Sequence, residues 1–421
     1  MFTSTSMQLK LALEDWPEAI DDLGAASSMS YTSPSQHIVN SHNVNINPAN
    51  STNTAGHQGW TIAHLDVKTA FLNGDIEEEI YVQPPPGFES PTHPHHVYRL
   101  KKVLYSLKQA PRAWYHKVDN YLTTQGLRKS TTDQNLYFHE DNGLLILLIL
   151  YVDDVYLTGN NLPHIARLWT EIQTAFKMTD LGTLSHSLGI EFLISHDGIR
   201  LTQRQYIESM LADFGLNKCR LVATHMAEKT HLLSDMRTPP ADSVLYQTMV
   251  RNLIFLIHTR SDIAYVVCIV SRFMAAPLEI HARAVKHSYR YLKGTTNLAL
   301  NYRRGEKDDL LGYTDSDWAR DAYDRISTTK YLFLLGSTLI TWNSKKQPTI
   351  ALSSTEAEYM AITEATKETV WLRLLRELKI QDLKKSTTIH RDNQVQSQSR
   401  DECHRANPST IELQKNANSL S

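Results

Sequence analysis

Two adjacent aspartates, Asp153 and Asp154, interrupt an apolar run in residues 144–159, LLILLILYVDDVYLTG. Apolar, β-rich runs on both sides of a short acidic break are the pattern of a hairpin that carries carboxylates at its turn. Two carboxylates this close repel each other, and burial strips their hydration. A cation offsets both effects, and oxygen-only ligands suit a hard one such as Mg²⁺. The stretch therefore reads as part of a divalent-metal site for phosphoryl transfer. That chemistry needs carboxylates from several elements around ions roughly 3.5–4 Å apart, one ion activating the attacking oxygen and the other stabilising the leaving group. Upstream, Asp66 lies near the end of a strand pattern over 62–67 and offers a third carboxylate. A second set, Asp315, Glu358 and Asp392, comes from a strand, a helix and another strand. A lone acid is most simply a surface charge or a cap, since charged residues are mostly exposed. The Asp pair resists that reading because apolar strands flank it tightly, whereas Asp315 alone does not. Glu356 is most simply a helix N-terminal charge, while Glu358, one step further round, is placed to point back at the sheet.

Between residues 91 and 118 there is no Asp or Glu, while Arg99, Lys101, Lys102, Lys108, Arg112 and Lys117 are interleaved with Tyr98, Tyr105, Trp114 and Tyr115. Basic residues alternating with aromatics suit a nucleic-acid backbone and its stacked bases. The alternative is a solvated helix face with aromatics turned to the core. The position of the stretch between Asp66 and the Asp pair favours the first.

These groups need elements to hold them. The strand at 62–67 is followed by an Asn73-Gly74 turn, and Pro84-Pro85-Pro86-Gly87 ends whatever 80–82 forms. Residues 162–176 and 203–214 have helical apolar spacing, and 188–194 pairs with 199–201 across His196-Asp197-Gly198. Residues 245–273 and 281–292 read as helices of a connector closed at 293–296. Strands follow at about 310–317, 331–335 and 338–342, with Gly336-Ser337 turning the last two. Ser353-Ser354-Thr355 caps a long helix to about residue 379, and a strand at 387–390 runs into Arg391-Asp392-Asn393. Residues 27–58 are Ser, Thr, Asn, His and Pro with few apolar anchors, so they are expected to be disordered; 9–23 has the pattern of a short helix. The polar chain beyond 395 is expected to be disordered too.

The 421 residues suggest two to three domains, and 41% apolar with 21% charged residues is a globular balance. A net charge of −2 means that any nucleic-acid surface is local. Three dispersed cysteines (Cys219, Cys268, Cys403) make neither a zinc pattern nor a disulfide framework. The longest apolar run is about half of a membrane span, and no signal-peptide pattern opens the chain. A soluble cytoplasmic or nuclear protein without a membrane partner is expected.

The sequence resembles the polyproteins of copia-type (pseudoviral) LTR retrotransposons over their reverse transcriptase and the ribonuclease H that follows. LDVKTAFLNGDIEEEIYVQPPPGF, LKQAPRAWY, YVDD, RLTQRQYI, HARAVKHSYRYLKGT, GYTDSDWA and SSTEAEYMA stand in the family's order from about residue 60 to 394, roughly four-fifths of the chain. A lone YVDD is a weak signal; the ordered series is specific. The resemblance implies an α+β chain: a disordered polar tail (1–58), a polymerase palm with an antiparallel sheet and helices (59–215), a helical thumb or connection (216–304), an incomplete ribonuclease H-like α/β domain (305–396) and a disordered tail (397–421). It implies RNA-directed DNA polymerase activity with two Mg²⁺ (or Mn²⁺) ions per active site, an RNA or DNA template-primer with deoxynucleoside triphosphates, and an RNA–DNA hybrid as the second substrate. Asp66, Asp153 and Asp154 match the polymerase metal ligands, and Asp315, Glu358 and Asp392 the first three ribonuclease H acids. Phe71 matches the ring that excludes a ribose 2′-hydroxyl. Lys108 and Gln109 match the turn lining the nucleotide and template, and Tyr151, beside the Asp pair, is placed with the nucleotide site.

Departures from the family qualify this. A fingers region is expected before the first catalytic strand, and the polar tail stands in its place. Ser106 replaces the usual Gly of the LYGLKQ turn, Arg251 stands for a Gly and Ser261 for a Pro. The family's CDNQSA becomes residues 391–396, RDNQVQ. A truncated, partly degenerate copy with little or no polymerase activity is therefore expected, with a nucleic-acid-binding remnant or an unstable product as alternatives.

Overall fold

The computed structural model describes residues 55, 58–84, 97–105, 107–227, 232–305, 309–319, 324–372, 374–378, 387–391 and 410–413. The expected helix at 9–23, most of both polar tails, Pro85–Gly87, Ser106 and Asp392 lie outside them.

In chain order the first elements are β1 (Ala63–Val67), a 3₁₀ turn (Ala70–Asn73), the short strands β2 (Tyr81–Val82) and β3 (Tyr98–Arg99), and α1 (Ala110–Thr124). Then come β4 (Arg128–Lys129), β5 (Leu136–Asp141), β6 (Leu144–Tyr151), β7 (Asp154–Gly159), α2 (Leu162–Ala175) and β8 (Met178–Thr183). Six of these strands form an antiparallel sheet in the order β4-β5-β6-β7-β1-β8. The unbroken apolar run of β6 reflects burial on both faces, from Ile146 to Leu150. Helix α1 buries Ala110, Trp114, Val118 and Leu122, one stripe at helical spacing. Gly159 is demanded where β6 and β7 pair: its φ is 151°, and a Cβ there would lie 2.2 Å from the Leu145 carbonyl oxygen.

A second sheet joins β9 (His186–Ser187), β10 (Ile190–Ser195), β11 (Gly198–Thr202) and β12 (Leu300–Arg303) in the order β12-β11-β10-β9. Between its strands the chain builds helices α3 (Arg204–Asp213), α4 (Ser243–Leu256), α5 (Ala264–Ser271) and α6 (Glu279–Gly294). The apolar stretch at 245–273 is broken by a 3₁₀ turn at Ser261–Ile263, where buried Arg260 engages Asp262 and Thr295.

Two expected boundaries shift. The first unit was expected to run to 215, but Ile207, Met210 and Leu211 of α3 pack with α4, α5 and α6, because the apolar stripe of a helix needs helical partners. The helical connector was expected to run to 304, but Leu300–Arg303 returns as a sheet strand beside β11.

The third sheet has the order β15-β14-β13-β16-β17, built from β13 (Leu310–Asp317), β14 (Thr328–Leu335), β15 (Thr338–Lys346), β16 (Thr387–Arg391) and β17 (Thr410–Leu413). Among the described strands only β13 and β16 pair in parallel. Helices α7 (Ser354–Trp371) and α8 (Leu374–Glu377) divide the expected long helix. Ser353 caps α7, its Oγ accepting from the Glu356 amide at 3.1 Å. Of the tail at 397–421 only 410–413 is described, where TIEL adds an antiparallel strand to β16. Four residues in a polar context show no period, whereas the open edge of β16 supplies ladder partners. One apolar core contains side chains from all three large sheets, including Leu147, Tyr156, Leu201, Tyr302 and Phe333. No helix among the described residues is long and apolar enough to cross a membrane.

Candidate active site

The register of the first sheet sets Asp66 of β1 directly opposite Asp154 of β7, and Tyr151 of β6 opposite Asp154 on the other side. Directly opposed residues share a face and approach closely, so two of the three carboxylates are cross-strand neighbours. The third, Asp153, lies with Val152 in the two-residue turn. Val152 has φ 57°, a costly conformation for a β-branched residue. Two contacts hold the turn there: Trp114 Nε1 donates to the Val152 carbonyl at 2.5 Å, and the Val67 amide donates to the Asp153 carbonyl at 2.7 Å. Burial pushes the Asp153 carboxyl above the usual carboxylate range, and the charges of Asp154 and Asp66 push it the same way.

His64, two residues before Asp66 and so on its face of β1, stacks on Tyr156 with ring centroids 4.9 Å apart. Its Nε2 lies 2.7 Å from Asp154 Oδ1. Asp154 is thus engaged by a buried imidazole, and among the described residues no three His, Cys, Asp or Glu side chains are arranged to hold a metal ion. Asp66, Asp153 and Asp154 share one end of the sheet without converging on a single point. Hard oxygen donors such as Asp153, raised first by burial and then by its carboxylate neighbours, nevertheless fit a divalent cation.

Phe71, in the 3₁₀ turn after β1, is only 4% exposed. Tyr105 covers it, with ring centroids 4.9 Å apart, and is itself 55% exposed. Burial and then the charges of Asp153 and Asp66 raise the Tyr105 hydroxyl, which places it within electrostatic reach of the carboxylates. Lys108 and Gln109 are exposed at the start of α1, with Gln109 at its N-cap position.

The basic stretch is partly neutralised. Arg99 pairs with Glu79 at 2.9 Å and Lys117 with Asp75 at 2.9 Å, and Asp75 also bridges Lys102 through the backbone. The acidic run at 75–79 therefore faces the cations that follow residue 91. Lys101 and Arg112 are exposed, and Arg112 Nε donates to His116 Nε2 at 3.4 Å. Trp114, read as a stacking ring, is a core residue that holds the Asp turn instead. Its role, and those of His64 and Tyr105 at the carboxylates, carry no local signature: each depends on a partner 38 or 90 positions away or on another element's charge.

In the second set, Asp315 on β13 pairs with Lys330 of β14 at 3.0 Å. Glu358 of α7 turns to the neighbouring residue, Oε1 accepting from the Ser316 amide at 3.3 Å and from its hydroxyl at 3.1 Å. Successive strand residues point to opposite faces, so Asp315 and Glu358 engage different partners. Glu358 Oε2 is buried with no hydrogen-bond partner among the described residues, and burial pushes its carboxyl up, with Asp315 adding to the shift.

Residues 39–228 match the family "Reverse transcriptase (RNA-dependent DNA polymerase)", beginning within the stretch expected to be a disordered polar tail. The chain is 38% identical over 337 residues to the retrovirus-related Pol polyprotein from transposon RE1 of Arabidopsis thaliana, covering 80% of this chain and 23% of that protein. It is 42% identical over 330 residues to the corresponding polyprotein from transposon TNT 1-94 of Nicotiana tabacum, covering 75% and 25%. It spans about a quarter of the length of these relatives. Against the putative transposon Ty5-1 protein of Saccharomyces cerevisiae it is 33% identical over 307 residues, 72% of this chain and 100% of that one. A family match over residues 39–228 and a relative covered over its whole length lead to one conclusion: the chain belongs to the reverse transcriptase family of copia-type retrotransposon Pol polyproteins.

Proposed function

We propose that the chain carries the carboxylate centre of an RNA-directed DNA polymerase, which extends a primer 3′-hydroxyl with deoxynucleotides on an RNA or DNA template. The observation that carries this reading is the register of Asp66 against Asp154, with Asp153 pinned in the adjoining turn. Asp66 and Asp153 would hold a Mg²⁺ ion, with Asp154, now bonded to His64, as the third carboxylate available to it. Bound Mg²⁺ supplies a lowered pKa at the primer hydroxyl and neutralises charge developing on the phosphate. Tyr105, packed on Phe71, offers the ring beside which a deoxyribose fits. Lys108 brings positive charge, and Gln109 an amide, to the nucleotide and template. Tyr151, opposite Asp154, closes the same end of the sheet. The bond from His64 to Asp154 competes with metal binding and favours impaired activity in this copy.

A ribonuclease H activity from Asp315, Glu358 and Asp392 is the second part of the proposal, with the same cation. The partnerless, buried Glu358 Oε2 supports it, since a cation satisfies such an oxygen.

Primer extension on an RNA template with Mg²⁺ or Mn²⁺ tests the first part. Weak synthesis that Asp153→Asn abolishes is expected. Synthesis indifferent to Asp153→Asn, or none in either metal, overturns it. Cleavage of an RNA–DNA hybrid, lost in Glu358→Gln, tests the second.

A further inference from the structure

The second sheet has two unlike faces. Register places Phe192 against Leu201 and Ile199 against Tyr302, and these side chains belong to the core shared by the three large sheets. Alternation sends their neighbours outward. On that outer face Leu193 stands opposite Arg200, Arg200 opposite Asn301, and Gly198 opposite Arg303. An open cleft of about 730 Å³ follows, lined by Leu193, Arg200, Asn301 and Arg303 together with Arg304, His196 and Asp197.

Three arginines meet one aspartate in this lining, a local balance of about +2 from three minus one, on a chain whose net charge is −2. Arg200 sits on a central strand and Arg303 on the edge strand, one diagonal step apart, so their separation is set by the sheet and not by a flexible loop. Gly198 keeps the spot opposite Arg303 clear of a side chain, since a Cβ there would collide with the Tyr302 carbonyl. Arg304 lies across the backbone of Gly59 and donates its amide to the Asp197 carbonyl at 2.9 Å, which fixes the cleft's end.

Guanidinium groups bind phosphate through paired N–H donors, and several on one rigid face suit a ligand with regularly repeated phosphates. The cleft opens to solvent, unlike the enclosed pockets that hold small molecules. Leu193, 48% exposed, adds an apolar shoulder for a sugar, and Asn301 an amide.

We propose that this outer face is a second nucleic-acid contact, in which Arg200, Arg303 and Arg304 hold consecutive phosphates of one strand. It lies on a different sheet from Asp66 and Asp153, and it rests on the polymerase reading for the presence of a template-primer. It anchors the strand at a place separate from the cations between Arg99 and Lys117.

Fluorescence anisotropy of a labelled RNA–DNA hybrid with the full chain, titrated at several KCl concentrations, tests this. Arg200→Ala/Arg303→Ala should weaken binding about tenfold at low salt and flatten the salt slope by about two. Arg200→Lys/Arg303→Lys, which keeps both charges, should retain the slope. If the alanine pair fails to fold, Arg303→Gln on the edge strand is measured instead, with a slope loss of about one expected. Unchanged affinity and slope in these variants overturns the cleft contact. If binding then still depends on Lys108 and Arg112, the polymerase reading stands without it. Displacement of the hybrid by inorganic tripolyphosphate at equal phosphate concentration would reassign the cleft to free polyphosphate and overturn strand binding. A wild-type chain that binds no hybrid overturns both readings.

Discussion

The imidazole of His64 lies 2.7 Å from the carboxylate of Asp154, across two strands whose register also sets Asp66 against Asp154. One side chain of the proposed metal centre is therefore held by a buried group that is not a carboxylate. A hydrogen bond to a charged group is worth roughly 1.5 kcal/mol, so its loss should shift metal affinity by about tenfold. His64→Leu, which keeps the packing against Tyr156 and removes the donor, should tighten Mn²⁺ binding by that factor. Electron paramagnetic resonance titration of free Mn²⁺ checks this, and an unchanged or weaker affinity would show that Asp154 is not a ligand in waiting.

The acidic run at 75–79 makes a different prediction for nucleic-acid binding. Arg99 and Lys117 are engaged by Glu79 and Asp75, so the basic stretch acts below its formal charge. Asp75→Asn/Glu79→Gln should steepen the salt dependence of hybrid binding by about two and tighten it several-fold. Thermal stability should change little, since exposed ion pairs contribute little. An unaltered slope would mean that Arg99 and Lys117 do not meet phosphate.

Arg260 and Asp262 form a forked pair inside the helical unit, with Nε and the guanidinium donating to the carboxylate at 2.9 and 2.7 Å. Burial alone would raise the Asp262 carboxyl, but the hydrogen bonds and charge of Arg260 hold it below the usual range, with Tyr291 assisting. Its folded pKa is depressed, so its stabilisation is present above the unfolded value of about 3.9 and is lost as pH falls through the folded value. Asp262→Ala, which strands a buried guanidinium, should cost about 3 kcal/mol at neutral pH. Urea melts at neutral and strongly acidic pH should show the gap between variant and wild type closing in acid. A gap that persists there would assign the loss to packing.

Much of the architecture was legible in residue order because local rules govern it. The run LLILLILY, the Asp pair and the resumed apolar residues are a hairpin in the structure, with Tyr151 opposite Asp154. Ser353 caps α7, and Glu358 does point back at the sheet. Where the reading fell short, partners far apart in the chain decided the outcome. The helical unit claimed α3 through packing, and β12 crossed back to β11, neither of which periodicity shows. The segment between residues 91 and 118, free of acids in sequence, faces Asp75 and Glu79 in space.

The sequence by itself determined the chemistry on offer: carboxylates beside apolar strands, their order along the chain, and a series of motifs that names a family. Residue type and local spacing are enough for that, because they set ionisation, turn formation and periodic burial. Only the tertiary structure decided how those groups are engaged. It set Asp66 against Asp154, turned Asp154 toward His64, anchored the Asp153 turn on Trp114, and gathered three arginines on the outer face of a sheet whose strands lie about a hundred residues apart. Strand register and side-chain contact are long-range properties, and no local pattern in the chain specifies them.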